Sequence, residues 1–290
     1  MIKLLALDLD GTTLESTGEI SAANREAIRK AEERGVLVTI ATGRRFRDAR
    51  PIGIDLDLNA PLITHNGALL KYADSGETVN CSLHSTETSL EIVKVGKEYG
   101  GDALVSIDPY GNGTLLYDRV STNNIPLKKY LRWAESLHGD EEGRSGVLHV
   151  PCLDEVLHQH EVVHISFSGG CSAMSELLTT LEIALGETVT ILPTIYPSLD
   201  FTLIDILPPT ASKGHGVAKL AQDNDLTAKN VMAIGDNFND LAMLEYAGIA
   251  VVMGNADINL LERQEFYTTL SNDESGVAAA IERFILQEEK

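Results

Sequence analysis

The sequence predicts an α/β protein: a doubly wound parallel-sheet core interrupted by an inserted α+β segment. Three observations predict it. Short, wholly apolar runs alternate with an amphipathic helical stretch in the first ninety residues, and the last eighty repeat that alternation. Between them lies a block of turn-rich hairpins and helices, long enough for a domain of its own. The expected division is residues 1–83 and 207–290 for the core and 84–206 for the insert.

In chain order, KLLAL (3–7) reads as a strand buried on both faces. Residues 21–34 read as a helix, with Ser21 as N-cap, Ala23, Ala27, Ile28 and Ala31 as its apolar stripe and Gly35 as its stop. VLVTIAT (36–42) and PLITHNG (61–67) read as further strands, so strand, helix and strand form a right-handed parallel unit. In the insert, strands at 103–107 and 114–118 flank DPYGNG as a hairpin. Strands at 163–168 and 189–192 bracket a helix at 172–185, and 200–205 ends the block. The closing part reads as helix 214–223, strand 230–234, helix 239–246, strand 249–253 and helix 276–286.

The chain has 290 residues, with 23 Lys+Arg against 43 Asp+Glu, a net charge of −20 and a pI near 4.7. Such a field repels polyanions, which argues against nucleic-acid and anionic-membrane partners. Three scattered cysteines, Cys81, Cys152 and Cys171, form no disulfide framework or C-x-x-C, which fits a reducing cytoplasm. No apolar run approaches the roughly 18 residues of a membrane helix. A small molecule is the expected partner, and no obligate protein partner is evident.

LDLDGTTL (7–14) carries the first chemistry. As structure alone it reads as a hairpin, with Gly11 supplying a positive φ at the turn. As chemistry it sets Asp8 and Asp10 two residues apart on one side of a chain leaving a buried strand. Paired carboxylates repel unless a cation lies between them or one carries a proton, and both cases suit a hydrolase using Mg²⁺ and a general acid. ATGR (41–44) puts Thr42 at a strand's carboxyl end, where open α/β sheets bind ligands; it also suits a helix N-cap. In SKGHG (212–216), Lys213 begins a helix against the dipole, which suggests service to an anion. GDNFND (235–240) sets Asp236 and Asp240 four apart after an apolar strand, as ligands or as capping acids.

Taken together, Asp8-Leu9-Asp10-Gly11-Thr12, Thr42, Lys213 and Gly235-Asp236 through Asp240 resemble, in order, the four motifs of the haloacid dehalogenase-like phosphatase superfamily. The long insert and GDNFNDLAML resemble its Cof-type branch, with a type IIB cap on a Rossmann-like core. The resemblance spans nearly the whole chain. It implies that Asp8 is the nucleophile, forming an aspartyl phosphate, and that Asp10 is the general acid and base. It implies Mg²⁺ held by Asp8, the Asp10 carbonyl and Asp236. Phosphoryl oxygens would meet the Leu9 and Gly43 N–H groups, Thr42, Lys213 and Asn239. Asp240 would orient Lys213 or a metal-bound water. Arg44, Arg45, Asn112 and Tyr196 are candidate contacts to the rest of the substrate, with the insert setting specificity. A phosphate dianion among four aspartates needs about three local positive charges, which Mg²⁺ and Lys213 supply together.

The implied activity is hydrolysis of a small phosphorylated metabolite: a sugar phosphate, a sugar-alcohol phosphate or a phosphorylated cofactor. The alternatives are a phosphomutase of the same superfamily and a non-catalytic phosphoaspartate receiver. HEVVH (160–164) matches a zinc motif, but it continues as an alternating strand, where residues four apart lie about 13 Å from each other. NGT (112–114) reads as a hairpin turn, and no complete Gly-rich nucleotide loop is present.

Overall fold

The structure is a computed structural model that describes residues 1–137 and 146–287. The chain begins with β1 (Leu4–Leu7), α1 (Ala22–Glu33), β2 (Leu37–Ile40), α2 (Phe46–Asp55), β3 (Leu62–Thr64), β4 (Leu69–Lys71) and β5 (Thr78–Cys81). It continues as α3 (Thr86–Glu98), β6 (Asp102–Ile107), β7 (Thr114–Tyr117), α4 (Ile125–Leu137), β8 (Val147–His149) and α5 (Leu153–Val156). Next come β9 (Val162–Gly169), α6 (Cys171–Leu185), β10 (Thr190–Tyr196) and β11 (Phe201–Leu207). It closes with α7 (Lys213–Asp223), β12 (Val231–Gly235), α8 (Leu241–Tyr246), β13 (Ile249–Val252), α9 (Ile258–Leu261), β14 (Tyr267–Thr268) and α10 (Gly276–Ile281).

Two compact units result. One comprises Met1–Arg44, Ala49–Val79 and Ser212–Lys290; the other comprises Arg45–Asp48 and Asn80–Ala211. The second unit is thus a few residues longer at each end than 84–206, and it takes in four residues that follow the Thr42 segment.

The first unit is built on a parallel sheet in the order β14-β13-β12-β1-β2. The central strands β1 and β12 are apolar throughout because both faces are covered, whereas the edge strand β14 is exposed. Leu5 and Leu7 of β1 pack with α1 and α10, while Leu4 and Ala6 pack with α7 and α8. In α1, Ser21 caps as expected, accepting from the Asn24 N–H at 3.1 Å. Ala27, Ile28 and Ala31 are buried, but Ala23 is exposed and Asn24 is buried beside them. Asn24 tolerates this position because its amide donates to Thr13 O and accepts from Ala278 N. The strand expected over 61–67 is shorter: β3 stops at Thr64, and His65, Asn66 and Gly67 turn the chain back into antiparallel β4.

The second unit is a six-stranded sheet, β10-β11-β9-β6-β7-β8, antiparallel except at β7–β8. One face packs on α3 and α6, and α4 covers Leu104 and Leu115 on the other. Among the described residues no helix is long and apolar enough to cross a membrane.

Candidate active site

Parallel strands that end together deliver their next residues to one edge of the sheet. β1 delivers Asp8, β2 delivers Thr42 and β12 delivers Asp236. Opposite them, Ser212 caps α7 through its Oγ, which accepts from the His215 N–H at 3.0 Å, and Lys213 is the first helical residue.

Lys213 is 1% exposed, and its ammonium donates to Asp8 Oδ1 and Asp240 Oδ1, both at 2.6 Å. Burial by itself would lower the ammonium's pKa, but the Asp240 and Asp8 carboxylates overcome it and raise it. Asp8 is pushed well above the usual carboxylate range, first by burial and then by the Asp240 charge, with Lys213 opposing. Asp236 is pushed up to about 6, again by burial first and Asp240 second. Asp240 is itself fully buried, and its second oxygen accepts from the backbone N–H groups of Asp236 and Asn237 at 2.9 and 3.0 Å. The loop after β12 and the position of Lys213 are therefore fixed by one carboxylate.

The turn after Asp8 is fixed as closely. Thr12, Thr13 and Leu14 all donate backbone N–H groups to Leu9 O, and the Thr13 hydroxyl donates to Asp8 O at 2.6 Å. Thr12 Oγ1 donates to Asp236 Oδ1 at 2.9 Å. Gly11 has φ +82°, and a Cβ there would stand 2.5 Å from Asp236 Oδ2. The positive φ read as a hairpin turn is present, and it also lets the backbone approach a carboxylate.

Asp8 and Asp10 are not a matched pair in this arrangement. The chain leaves the strand after Leu7, so the period of two lapses. Asp8 turns inward to Lys213, while the exposed Asp10 accepts two hydrogen bonds from Arg44, Nε to Oδ2 at 2.9 Å and Nη2 to Oδ1 at 2.6 Å. Thr42 is buried; its Oγ1 accepts from the Arg44 N–H at 3.1 Å, a turn contact and not a helix N-cap, since α2 begins only at Phe46. Gly43 lies against the Asn66 side-chain amide.

Asn66 escaped the sequence reading. It is buried in a left-handed conformation, φ 51° and ψ 34°. Its N–H donates to Thr42 O at 3.0 Å, and its Oδ1 accepts from Asn239 Nδ2 at 3.2 Å. It thereby links the Thr42–Gly43 turn to the loop after β12. The signal available was the HNG tripeptide itself, a turn composition placed at a strand end.

Arg45, Asn112 and Tyr196 belong to the second unit. Arg45 is a candidate contact to the rest of the substrate. It is buried and held by Asp48 through two contacts of 2.8 and 2.9 Å, with the Tyr130 ring 5.7 Å away, because a desolvated guanidinium needs an internal partner. Asn112 is exposed in the β6–β7 turn. Tyr196 ends β10 and stacks on Phe201 with ring centroids 5.9 Å apart. His160 precedes β9 and His164 lies within it, so the HEVVH pair is not on a helix.

Carboxylate oxygens of Asp8, Asp236 and Asp240 lie within 4.8 Å of one another. All are oxygen donors, and burial and mutual repulsion raise the pKa of two of them, so the donor set fits a small hard dication such as Mg²⁺.

A family model described as haloacid dehalogenase-like hydrolase matches residues 5–281. The stress response protein YhaX of Bacillus subtilis is 30% identical, covering 99% of this chain and 95% of its own. The 5-amino-6-(5-phospho-D-ribitylamino)uracil phosphatase YwtE of the same organism is also 30% identical, over 98% of both chains. A haloacid dehalogenase-like hydrolase from Bacteroides thetaiotaomicron superposes with a TM-score of 0.80 at 24% identity, over 98% of this chain and 100% of its own, a likeness of fold. With its motif residues gathered at one sheet edge and its length matched nearly end to end, the chain belongs to the haloacid dehalogenase-like hydrolases and is a phosphatase of that family.

Proposed function

We propose that the protein hydrolyses a small phosphorylated metabolite, a sugar, sugar-alcohol or cofactor phosphate, through an aspartyl phosphate on Asp8. The observation that carries this reading is the buried Asp8–Lys213–Asp240 row with Asp236 beside it. One Asp8 oxygen attacks phosphorus in line, an O–P bond forms, and the ester P–O bond breaks. Asp10 gives its proton to the departing alkoxide, then takes one from the water that attacks the aspartyl phosphate, releasing inorganic phosphate. Between turns Arg44 orients the Asp10 carboxylate. Lys213, the Thr42 hydroxyl, the Leu9 and Gly43 N–H groups and the Asn239 amide receive phosphoryl oxygens, and Asn66 positions the last two. Mg²⁺ would be held by Asp8, Asp236 and the Asp10 carbonyl, and when bound it offsets negative charge on the phosphoryl oxygens.

Discrimination among esters is assigned to the second unit, in which Asn112 and Tyr196 are exposed side chains; Arg44 contributes from the first. Cys81, Cys152 and Cys171 are unpaired, which supports a cytoplasmic setting. Three relatives, two from Bacillus subtilis and one from Cronobacter sakazakii, are named for phosphatase activity on a ribitylaminouracil phosphate or on HMP-PP. That supports hydrolysis over phosphoryl transfer between sugars.

Phosphate release from a panel of sugar and polyol phosphates tests the reading. Asp8→Asn keeps the shape but removes the attacking charge, and is expected to lose about a thousandfold or more in kcat. Acid quench of the wild type with ³²P-labelled substrate should leave label on Asp8. An Asp8→Asn variant keeping a tenth of the activity, or label passing to sugar instead of water, overturns it.

A further inference from the structure

Asp10 is the proposed proton donor and acceptor, and its side chain is 60% exposed, so packing does not fix where the carboxyl points. Arg44 orients it while it is charged. Once Asp10 carries a proton the ion pair lapses, and its aim depends on the backbone from which it hangs. The next residue is Gly11, at φ +82°, with no side chain to restrain its turn. A soft joint beside an exposed acid has to be stiffened from outside.

The loop that follows is held from two sides. From within, the N–H groups of Thr12, Thr13 and Leu14 converge on Leu9 O at 3.3, 3.0 and 2.9 Å. From without, its carbonyls meet three asparagines. Gly11 O accepts from Asn255 Nδ2 at 2.8 Å, Thr13 O from Asn24 Nδ2 at 3.4 Å and Leu14 O from Asn272 Nδ2 at 2.9 Å. Asn24 lies in α1, Asn255 follows β13 and Asn272 follows β14. The Ser16 N–H also donates to Asp273 Oδ1 at 2.8 Å. The ties to Asn255, Asn272 and Asp273 come from 244 to 258 positions along the chain.

A side-chain amide donates through its nitrogen and accepts through its oxygen, so one planar group can join a carbonyl to an N–H. Asn255 does this: Nδ2 holds Gly11 O while Oδ1 accepts from the Asn272 N–H at 2.9 Å. Asn24 does the same between Thr13 O and the Ala278 N–H, the latter at 2.9 Å. Asn24 and Asn272 are buried and form part of the packed interior. Asn255 is exposed, so its bonds add little to the stability of the fold. What its amide fixes is the peptide between Gly11 and Thr12, one flexible residue beyond Asp10. An aspartate there would still accept from the Asn272 N–H but, offering acceptors alone, would lose Gly11 O.

We propose that Asn255 is a positioning residue for proton transfer: its amide fixes the Gly11 carbonyl and through that peptide aims Asp10 at the oxygen of the leaving alcohol. Asn272 in turn orients the Asn255 amide. The inference rests on the role proposed for Asp10, and Asn255 itself touches no reacting atom.

The leaving group provides the test. An alkoxide needs a proton to depart, whereas 4-nitrophenolate leaves without one, so a misaimed acid penalises only the alkyl ester. Full-length Asn255→Asp and Asn255→Ala are assayed on the fastest alkyl ester of the sugar and polyol phosphate panel and on 4-nitrophenyl phosphate. Each variant should lose about tenfold in kcat/KM on the alkyl ester, the order one hydrogen bond supplies, and less than about twofold on the 4-nitrophenyl ester. Melting temperatures should stay close to that of the wild type. A merely structural loss, or the charge that Asn255→Asp adds, lowers both esters alike. Asp10→Asn is the reference and should show the same preference in larger measure. If Asp10→Asn discriminates between the esters while the Asn255 variants lose equally on both, or on neither, the positioning role is overturned. If Asp10→Asn does not discriminate either, the reading of Asp10 fails and this inference falls with it.

Discussion

Three buried charges meet at Lys213, and their balance sets what substitution there does. Lys213→Met removes the cation shared by Asp8 and Asp240 and leaves two carboxylates desolvated together. Breaking a buried pair in this way costs about 3–5 kcal/mol, which denaturant unfolding should register along with loss of activity. Arg44→Ala breaks an ion pair whose Asp10 side chain is 60% exposed, so its stability effect should stay under about 1 kcal/mol. Asp236 carries a pH signature. Its carboxyl rises from an ordinary 3.8 to about 6, so the folded protein holds a proton that the unfolded chain releases. Stability from this group is full below pH 3.8 and is lost as pH rises toward about 6. In metal-free buffer, Asp236→Asn should therefore flatten the fall in melting temperature between those pH values relative to wild type. Asp8, Thr42, Lys213, Asp236 and Asp240 were legible because each follows or begins an element that the apolar pattern marks. Asn66 was not, since its importance comes from a left-handed backbone and from Asn239, which is 173 positions away.

Elements place those residues, and the turn between β3 and β4 shows how tightly. Gly67 has φ +97°, and a Cβ there would stand 2.0 Å from the carbonyl oxygen of Ser212, the N-cap residue of α7. Gly18 has a similar φ, +86°, with nothing within 4 Å of its missing Cβ. Alanine at either position suffers left-handed strain of about 1–2 kcal/mol. Only Gly67→Ala must also displace the start of α7 and with it Lys213. It should lose about 2 kcal/mol more than Gly18→Ala, and it alone should lower kcat. The sequence pattern reads β1, α1, β2, α7 and β12 well because each is apolar on the faces it buries. It does not disclose α2, α3 and α4. Phe46–Asp55 carries Pro51, Thr86–Glu98 opens with TETS and contains Gly96, and Ile125–Leu137 starts with a proline at its second residue. Each departs from strong helix-forming composition, and tertiary burial of one face decides the matter.

For the whole molecule, the alternation of apolar strands and helices at both ends was enough to read one sheet assembled from distant parts of the chain. β1 lies between β2 and β12, so residues more than 200 positions apart are hydrogen-bonded neighbours. The second sheet was less legible, because its polar face alternates as a solvated strand would while being buried. Net charge acts at this scale too. With −20 on the chain, a phosphate dianion approaches against a repulsive field, and only within a few ångströms do Lys213 and a bound dication reverse its sign. Exposed charges are screened over about 8–10 Å at physiological ionic strength, whereas the buried row is screened much less. Raising NaCl from about 20 to 200 mM at saturating Mg²⁺ should therefore raise kcat/KM for a dianionic ester by about two- to threefold, with kcat nearly constant. Steady-state kinetics across that range decides which field governs substrate capture. A fall in kcat/KM would mean that the cationic site already outweighs the molecule's net charge at long range.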